Sequence, residues 1–228
     1  MKRLLILLFS LFFLSSPSVF ADDISDLKIE GISIGDSLLD YISVEQIKNS
    51  IVSAYYKEYK IKKFTPTEFY NLSFFETYDW LQIHFKPNDN KYIIYGITGG
   101  WDTKNISDCY KKQNEIVNDL TYMFSNLKKS EESSSLLQDS DGNNKGVYFD
   151  FSFGGYIFVE CYDFSSKVSF PDQLRIGIIE KEFDEWLRYG YEKVDDFYDS
   201  SLSTQKNILE ELYIGNTNEK YTIPGIRE

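Results

Sequence analysis

Two pairs of alternating segments constrain the fold more than any other feature of this sequence. Apolar residues occupy every second position of YDWLQIHF (residues 78–85), and the segment KYIIYGITGGW (91–101) follows after the turn KPNDN. A period of two is typical of strands that bury one face, and a polar turn between two such strands predicts an antiparallel hairpin. The segment VYFDFSFGGYIFVECYDF (147–164) predicts a second hairpin that turns at Gly154 and Gly155.

Few other segments have a strand pattern. LKIEGISIG (27–35) and DQLRIGIIE (172–180) alternate, and each predicts one further strand. The stretch 57–69 is interpreted as an irregular connection, because Pro66 lacks the amide N–H that a sheet ladder uses. A polar loop is predicted over 128–146, where no hydrophobic period is present.

One long helix is predicted over residues 105–127, where apolar residues recur with a period close to 3.6. Ser43 and Gln46 form a capping box, which predicts a short helix before the sheet. The segments KEFDEWLRYGYEKVDDFY and TQKNILEELYI predict helices after it. Because strands and helices do not alternate strictly, the sequence predicts an α+β fold: an antiparallel sheet of about five strands with one long helix packed on it, plus C-terminal helices.

Residues 1–21 have the three parts of a secretory signal peptide: a short basic region, an apolar run and a small-residue end. Cleavage is therefore expected between Ala21 and Asp22. The remainder is interpreted as a single α+β domain at 22–200, followed by a C-terminal helical extension and tail at 201–228. No later segment has the roughly 18 apolar residues of a membrane span, so we expect a soluble periplasmic or secreted protein.

The chain has two cysteines, Cys109 and Cys161. An even number of cysteines in an exported protein predicts a disulfide, and two buried free thiols are the alternative. Cys109 falls in the first turn of the long predicted helix and Cys161 in a predicted strand. The bond is therefore expected to join helix to sheet.

The formal net charge of −12 limits the possible partners. A chain this acidic is repelled by phosphate backbones and anionic lipid headgroups, so no nucleic-acid partner is expected. Cations and basic proteins are better partners. The aromatic content of 17% is compatible with a sugar-binding surface. The scarcity of alanine beside many Ile, Lys, Asn, Tyr and Phe residues instead indicates a biased composition in which aromatic residues pack the core.

The stretch DSDGNNKGVYFD (139–150) has the oxygen spacing of a calcium loop. Asp139, Asp141 and Asn143 stand at its first, third and fifth positions, and Asp150 stands at its twelfth. However, the strand pattern VYFD occupies the place where a calcium-binding hand begins its second helix. The sequence favours a solvated loop that runs into a strand, with Ca²⁺ binding as the alternative and no other cofactor expected.

The sequence contains few of the residue combinations that form catalytic sites. His84 is the only histidine, which excludes a two-histidine zinc site within one chain. No nucleophile elbow, phosphate loop or C-x-x-C motif is present. The carboxylates Glu160, Asp163 and Asp150 are candidates for paired acid–base chemistry of the kind that hydrolyses glycosides. With 36 acidic residues in the chain, such pairs are frequent by chance.

Several segments of the chain resemble known proteins. The segments DLKIEGISIGDSLLDYISVEQIK, NISDCYKKQNEI and GGYIFVECYDF with EFDEWL resemble uncharacterised, signal-peptide-bearing exported proteins of small-genome marine bacteria. This resemblance implies export, and it carries no functional residues because that group has no assigned activity. The shorter segment GISIGDSLLDYI resembles the opening of small periplasmic domains, such as outer-membrane assembly lipoproteins and β-lactamase inhibitor proteins.

The sequence is therefore interpreted as an exported, non-enzymatic periplasmic binding or protein-interaction domain with an unknown protein or small-molecule partner. Two alternatives stay open at this point. One is a small hydrolase that acts through carboxylates on a cell-envelope substrate, and the other is a calcium-stabilised secreted module.

Overall fold

The computed structural model describes residues 24–52, 56, 62–136 and 139–189. These residues form one seven-stranded antiparallel sheet and three α-helices. The strands are Thr65–Tyr70 (β1), Trp80–Phe85 (β2), Ile94–Thr103 (β3), Lys128–Ser135 (β4), Asn143–Asp150 (β5), Tyr156–Asp163 (β6) and Asp172–Ile179 (β7). The helices are Val44–Asn49 (α1), Ile106–Met123 (α2) and Lys181–Tyr189 (α3). The predicted signal peptide, the cleavage site at Ala21 and Asp22, and residues 201–228 lie outside the described residues.

The mixed α+β fold with an antiparallel sheet is confirmed, but the predicted number of strands is wrong. The sheet has seven strands in the order β1-β2-β3-β7-β6-β5-β4, where about five were expected. Both hairpins that the alternation predicts are present, as β2–β3 and β5–β6. The two strands that the sequence missed, β1 and β4, lie at opposite edges of the sheet.

Strand β1 shows how proline is accommodated at a sheet edge. Pro66 lies opposite His84 of β2, and its carbonyl oxygen accepts a hydrogen bond from Val52 on the outer side at 3.0 Å. Since the backbone N–H and C=O of one strand residue point the same way, the missing N–H faces away from β2. No ladder bond is lost, and the interpretation of 57–69 as irregular is wrong for residues 65–69.

Strand β4 has no hydrophobic pattern because neither of its faces is buried. Seven of its eight residues, in the sequence KKSEESSS, are exposed. Its register with β5 is continuous from Lys128 opposite Asp150 to Ser135 opposite Asn143. The predicted loop over 128–146 is therefore a strand, a turn and the start of β5. The extended conformation of β4 is therefore determined by its pairing with β5 and not by a local sequence pattern.

The segment 27–35 does not form the strand that its alternation predicts. Ile29 and Ile32 form an isolated bridge, and between them Glu30 and Gly31 have φ angles of 50° and 80°. The chain therefore turns sharply at Glu30–Gly31, and both isoleucines enter the core from this turn.

Helix α2 packs on one face of the sheet, against β6, β7 and β3. The side chain of Asn105 caps it by accepting a hydrogen bond from the N–H of Ser107. On its buried side, the Gln113 amide donates to the carbonyl oxygens of Lys145 and Val159 at 2.8 and 2.9 Å. The main core lies between this helix, the residues before β1 and the sheet.

Cys109 of α2 and Cys161 of β6 form a disulfide, with Cα atoms 5.9 Å apart. Both cysteines are fully buried. The bond ties the first turn of the helix to the middle of the sheet. It also fixes which residues of β6 face the helix, because side chains alternate along a strand.

Candidate binding face

The sheet face opposite α2 carries a cluster of charged, amide and aromatic side chains. Cys161 faces α2, so Glu160 and Tyr162 point to the other side. The strand registers then place matching residues of the other strands on that side. We call this surface the open face, and it comprises Glu68, Tyr70, Trp80, Gln82, Thr98, Asp102, Asn144, Tyr148, Phe158, Glu160, Tyr162, Gln173 and Arg175.

Helix α3 covers one end of this side of the sheet. Phe183 and Trp186 are buried there in a second, smaller core with Phe64 and Ile179. Arg188 of the same helix lies over the Tyr156 ring at 5.8 Å. Helix α2, which among the described helices packs most extensively on the sheet, lies on the other face.

Glycines beneath aromatic rings shape the open face. A Cβ atom on Gly100 would overlap the indole of Trp80, and one on Gly177 would overlap the ring of Phe158. These rings therefore lie over bare backbone, across the sheet and not upright from it. The arrangement lowers the relief of the face, in which Trp80 is buried and Phe158 is half-buried.

Arg175 lies at the centre of the open face between two aromatic rings. Its guanidinium carbon is 3.9 Å from the ring centroid of Tyr162 and 5.4 Å from that of Trp80. Its Nε and Nη2 atoms donate to Gln173 Oε1 at 3.1 and 2.7 Å. These contacts orient the guanidinium, which is half-buried and planar.

Glu160 lies directly opposite Arg175 on the neighbouring strand. Its carboxylate accepts hydrogen bonds from the hydroxyls of Tyr148 at 2.6 Å and Tyr162 at 3.0 Å. Burial, together with the negative charge of Glu160, raises the pKa of the Tyr148 phenol above its ordinary value. Tyr148 therefore stays protonated and serves as a donor to Glu160.

Asp102 lies at the edge of the same cluster. It accepts hydrogen bonds from Gln173 Nε2 at 3.0 Å and from the Trp80 indole N–H at 3.4 Å. Burial raises the pKa of this carboxyl, and the nearby Asp79 raises it further, against the lowering effect of these bonds. Asp102 thus adds a partly desolvated acid to the open face.

A second polar chain runs from the open face to α3. Glu68 accepts from Tyr70 and from Gln82 Nε2, and Gln82 Oε1 lies 3.0 Å from His84 Nε2. Since the Gln82 oxygen only accepts, His84 Nε2 carries the proton and Nδ1 accepts from the Tyr56 hydroxyl at 3.1 Å. Burial lowers the pKa of His84 to about 3, so this histidine is neutral.

The four residues of the candidate calcium loop do not all lie close together. Asp139 is buried, and its carboxylate accepts from the Ser165 backbone N–H, the Ser165 hydroxyl and the Asp141 N–H. Asp141 forms an ion pair with Lys167. Asn143 begins β5 and Asp150 ends it, so their Cα atoms are about 24 Å apart at 3.4 Å per residue.

In the described residues, no group of three or more His, Cys, Asp or Glu side chains is arranged to hold a metal ion. Asp139 instead joins the turn before β5 to the segment after β6 through its bonds to Ser165. Calcium binding by this loop stays the alternative to a solvated loop.

The carboxylates considered for hydrolysis are also separated. Asp163 lies on the side of the sheet opposite to Glu160, because the two are three residues apart on one strand. Asp150 shares the open side, but it lies four residues along β5 from Gly146, the partner of Glu160. That offset is about 14 Å between Cα atoms, so the two carboxylates extend from well-separated points of the sheet.

The sequence reasoning did not single out Arg175, Tyr148 or Tyr162. Their signal was present in the alternation itself: in DQLRIGII the apolar Leu174 and Ile178 enter the core, so Arg175 must face the other way. What the sequence lacked was the strand order that brings β6 and β7 together.

In the part of the chain that the structure describes, no helix has the length and hydrophobicity needed to cross a membrane. Comparison with protein-family models, curated proteins and solved structures finds no match to this chain.

Proposed function

We propose that this protein is an exported interaction module that binds a partner protein through its open face. The observation that carries the proposal is the placement of Arg175, half-buried between the rings of Tyr162 and the buried Trp80, on a sheet face where, among the described residues, α3 packs at one end. Tyrosine, tryptophan and arginine are the residues that contribute most to binding energy at protein interfaces.

The shape and rigidity of the open face support a macromolecular partner. Rings that lie across the sheet give a broad, shallow surface, whereas small-molecule sites are concave and bury most of their ligand. Its polar groups are already oriented by Glu160, Gln173 and Asp102, so little side-chain conformational freedom is lost on binding.

Charge indicates the kind of partner. Glu68, Asp102 and Glu160 outnumber the one arginine of the open face, and the chain as a whole has a net charge of −12. A partner with a basic surface would be attracted over a distance, and an acidic one would be repelled. Export is supported by the signal-peptide pattern of residues 1–21 and by the Cys109–Cys161 disulfide.

Site-specific photo-cross-linking tests this proposal. A photoreactive phenylalanine analogue replaces Tyr162 on the open face in one variant and Tyr122 on α2 in the other, and cells that export each are irradiated. Tyr122 is 88% exposed and lies on the opposite side of the sheet, so it is a matched control. We expect one cross-linked protein from position 162 and none from position 122.

The same product from both positions, or none from position 162, would contradict the proposal. Cross-linking to polysaccharide would assign the face to a different class of ligand. Turnover of that polysaccharide by the purified protein would favour the hydrolase alternative.

A further inference from the structure

The two edges of the sheet are protected very differently. At one edge, β1 is six residues long, contains Pro66 and is bonded on its outer side to residues 50–52. At the other edge, β4 is eight residues long and has neither proline nor a bulge. Within the described ranges, no backbone hydrogen bond reaches the outer side of β4. Such an edge is a template for a further strand.

The charges on β4 are arranged so that this strand complements itself. Its first five residues are Lys128, Lys129, Ser130, Glu131 and Glu132. Reversing the direction of this segment about Ser130 exchanges each lysine with a glutamate. An edge of one charge sign would repel its own copy, but this pattern attracts a copy that runs antiparallel to it.

We propose that β4 pairs antiparallel with β4 of a second copy of this chain, about a two-fold axis at Ser130. Lys128 then lies opposite Glu132 of the partner subunit, and Lys129 lies opposite Glu131 of the partner subunit. The axis repeats both pairs, so four ion pairs form across the interface. The two sheets join into one sheet of fourteen strands, from seven in each copy.

The charges also select this register over its neighbours. A shift by one residue in either direction keeps only two of the four ion pairs. Pairing over all eight residues of β4 places Glu131 opposite Glu132 of the partner subunit, twice, and makes no ion pair. A parallel arrangement in register sets lysine against lysine. One antiparallel register is therefore favoured.

The ion pairs that β4 makes within one chain do not oppose its pairing with a second copy. Lys129 lies 3.3 Å from Glu131 on its own strand, and Lys128 lies 3.8 Å from Asp150 of β5. The Lys128 side chain is 80% exposed, and exposed ion pairs of this kind contribute little to stability. The lysines are therefore available to the partner strand.

The ladder is short, so the dimer is weak. Five residue pairs bury much less surface than the roughly 1,200–2,000 Å² of stable interfaces. We expect a dissociation constant of roughly 1 µM to 1 mM that rises with salt, since exposed ion pairs are screened. The pairing would place two open faces side by side, although it does not depend on the function proposed for them.

Sedimentation velocity of the purified protein over a range of concentrations tests the dimer. The double variants Lys128→Glu/Lys129→Glu and Glu131→Lys/Glu132→Lys each make β4 a strand of one charge. Each alone should raise the dissociation constant at least roughly tenfold, because every facing pair becomes repulsive. An equimolar mixture of the two should form a heterodimer, and the variant with all four exchanges should regain the homodimer.

A control separates this effect from a change in net charge. Lys111 and Lys112 are exposed on α2, so Lys111→Glu/Lys112→Glu makes the same change in charge away from β4. This control should leave the dissociation constant within about twofold of the wild-type value. A protein that stays monomeric at millimolar concentration, a dimer unaffected by the β4 variants, or a failure of the mixed and fully exchanged variants to associate would each overturn the proposal.

Discussion

The ring of Phe183 stacks on the imidazole of His84, with the ring centroids 4.4 Å apart. Helix α3 thus closes the histidine off from solvent, and burial lowers the pKa of His84 to about 3, from an ordinary value of 6.5. The unfolded chain takes up a proton on this side chain below pH 6.5, while the folded protein does not until about pH 3. The contribution of His84 to stability is therefore fully present above pH 6.5 and falls as the pH falls from 6.5 towards 3.

We predict that His84→Gln makes the protein less sensitive to acid. A single histidine of this kind contributes a slope of roughly 1.4 kcal/mol per pH unit between pH 6 and pH 4. Urea unfolding at several pH values should show that the difference in unfolding free energy between wild type and variant changes by about that amount per unit. Parallel pH profiles would mean that His84 is accessible and titrates normally.

Removal of the disulfide should destabilise the fold strongly. The bond joins residues 52 positions apart, and closing a loop of this length stabilises the folded state by roughly 4 kcal/mol in the chain-entropy model. We expect the double variant Cys109→Ala/Cys161→Ala to lose about that much unfolding free energy in urea. Wild-type protein unfolded with a reductant should give a similar loss, and an unchanged midpoint with reductant would contradict the bond.

Adding a methyl group at Gly100 should disturb the open face. The new Cβ would overlap the Trp80 indole, so the ring must move, at a cost of about 1–3 kcal/mol. We expect Gly100→Ala to shift tryptophan fluorescence to longer wavelength and to weaken binding of a partner at the face. Gly31→Ala is the control, because it adds the same methyl group where nothing lies within 4 Å; it strains the backbone at φ 80° but should leave the fluorescence unchanged.

Asp139 gives a prediction that distinguishes a structural turn from a calcium site. Its carboxylate bonds to Ser165 twice, so Asp139→Ala should lower the thermal midpoint whether or not calcium is present. The wild-type midpoint should be the same in excess Ca²⁺ and in chelator. A midpoint that rises with Ca²⁺ in the wild type, but not in Asp139→Ala, would support the calcium-stabilised module instead.

Local pattern predicted the parts of the fold that bury one face. The β2–β3 hairpin, the Gly154–Gly155 turn and helix α2 each have a period or a turn residue that reflects their own burial. The cysteine pairing followed from the number of cysteines and from the positions of these elements. Such features are local, and a single sequence contains them.

The parts that sequence reasoning missed depend on pairing between distant segments. Strand β4 has no apolar face, so nothing within 128–135 distinguishes it from a loop until β5 lies beside it. The cluster around Arg175 likewise requires β3, β6 and β7 to be neighbours, although β3 and β7 are separated by about 70 residues. Neither composition nor periodicity specifies that order.

The strand order has a consequence for the time course of folding. Of the strands that the structure describes, β7 is the last to be synthesised, yet it lies in the middle of the sheet, between β3 and β6. Until it emerges, β1–β3 and β4–β6 are two separate meanders, each with an unpaired inner edge that is prone to aggregate. The seven-stranded sheet cannot close until residues 172–179 have been synthesised. Closure of the sheet therefore waits for nearly all of the described residues, and both inner edges stay unpaired until then.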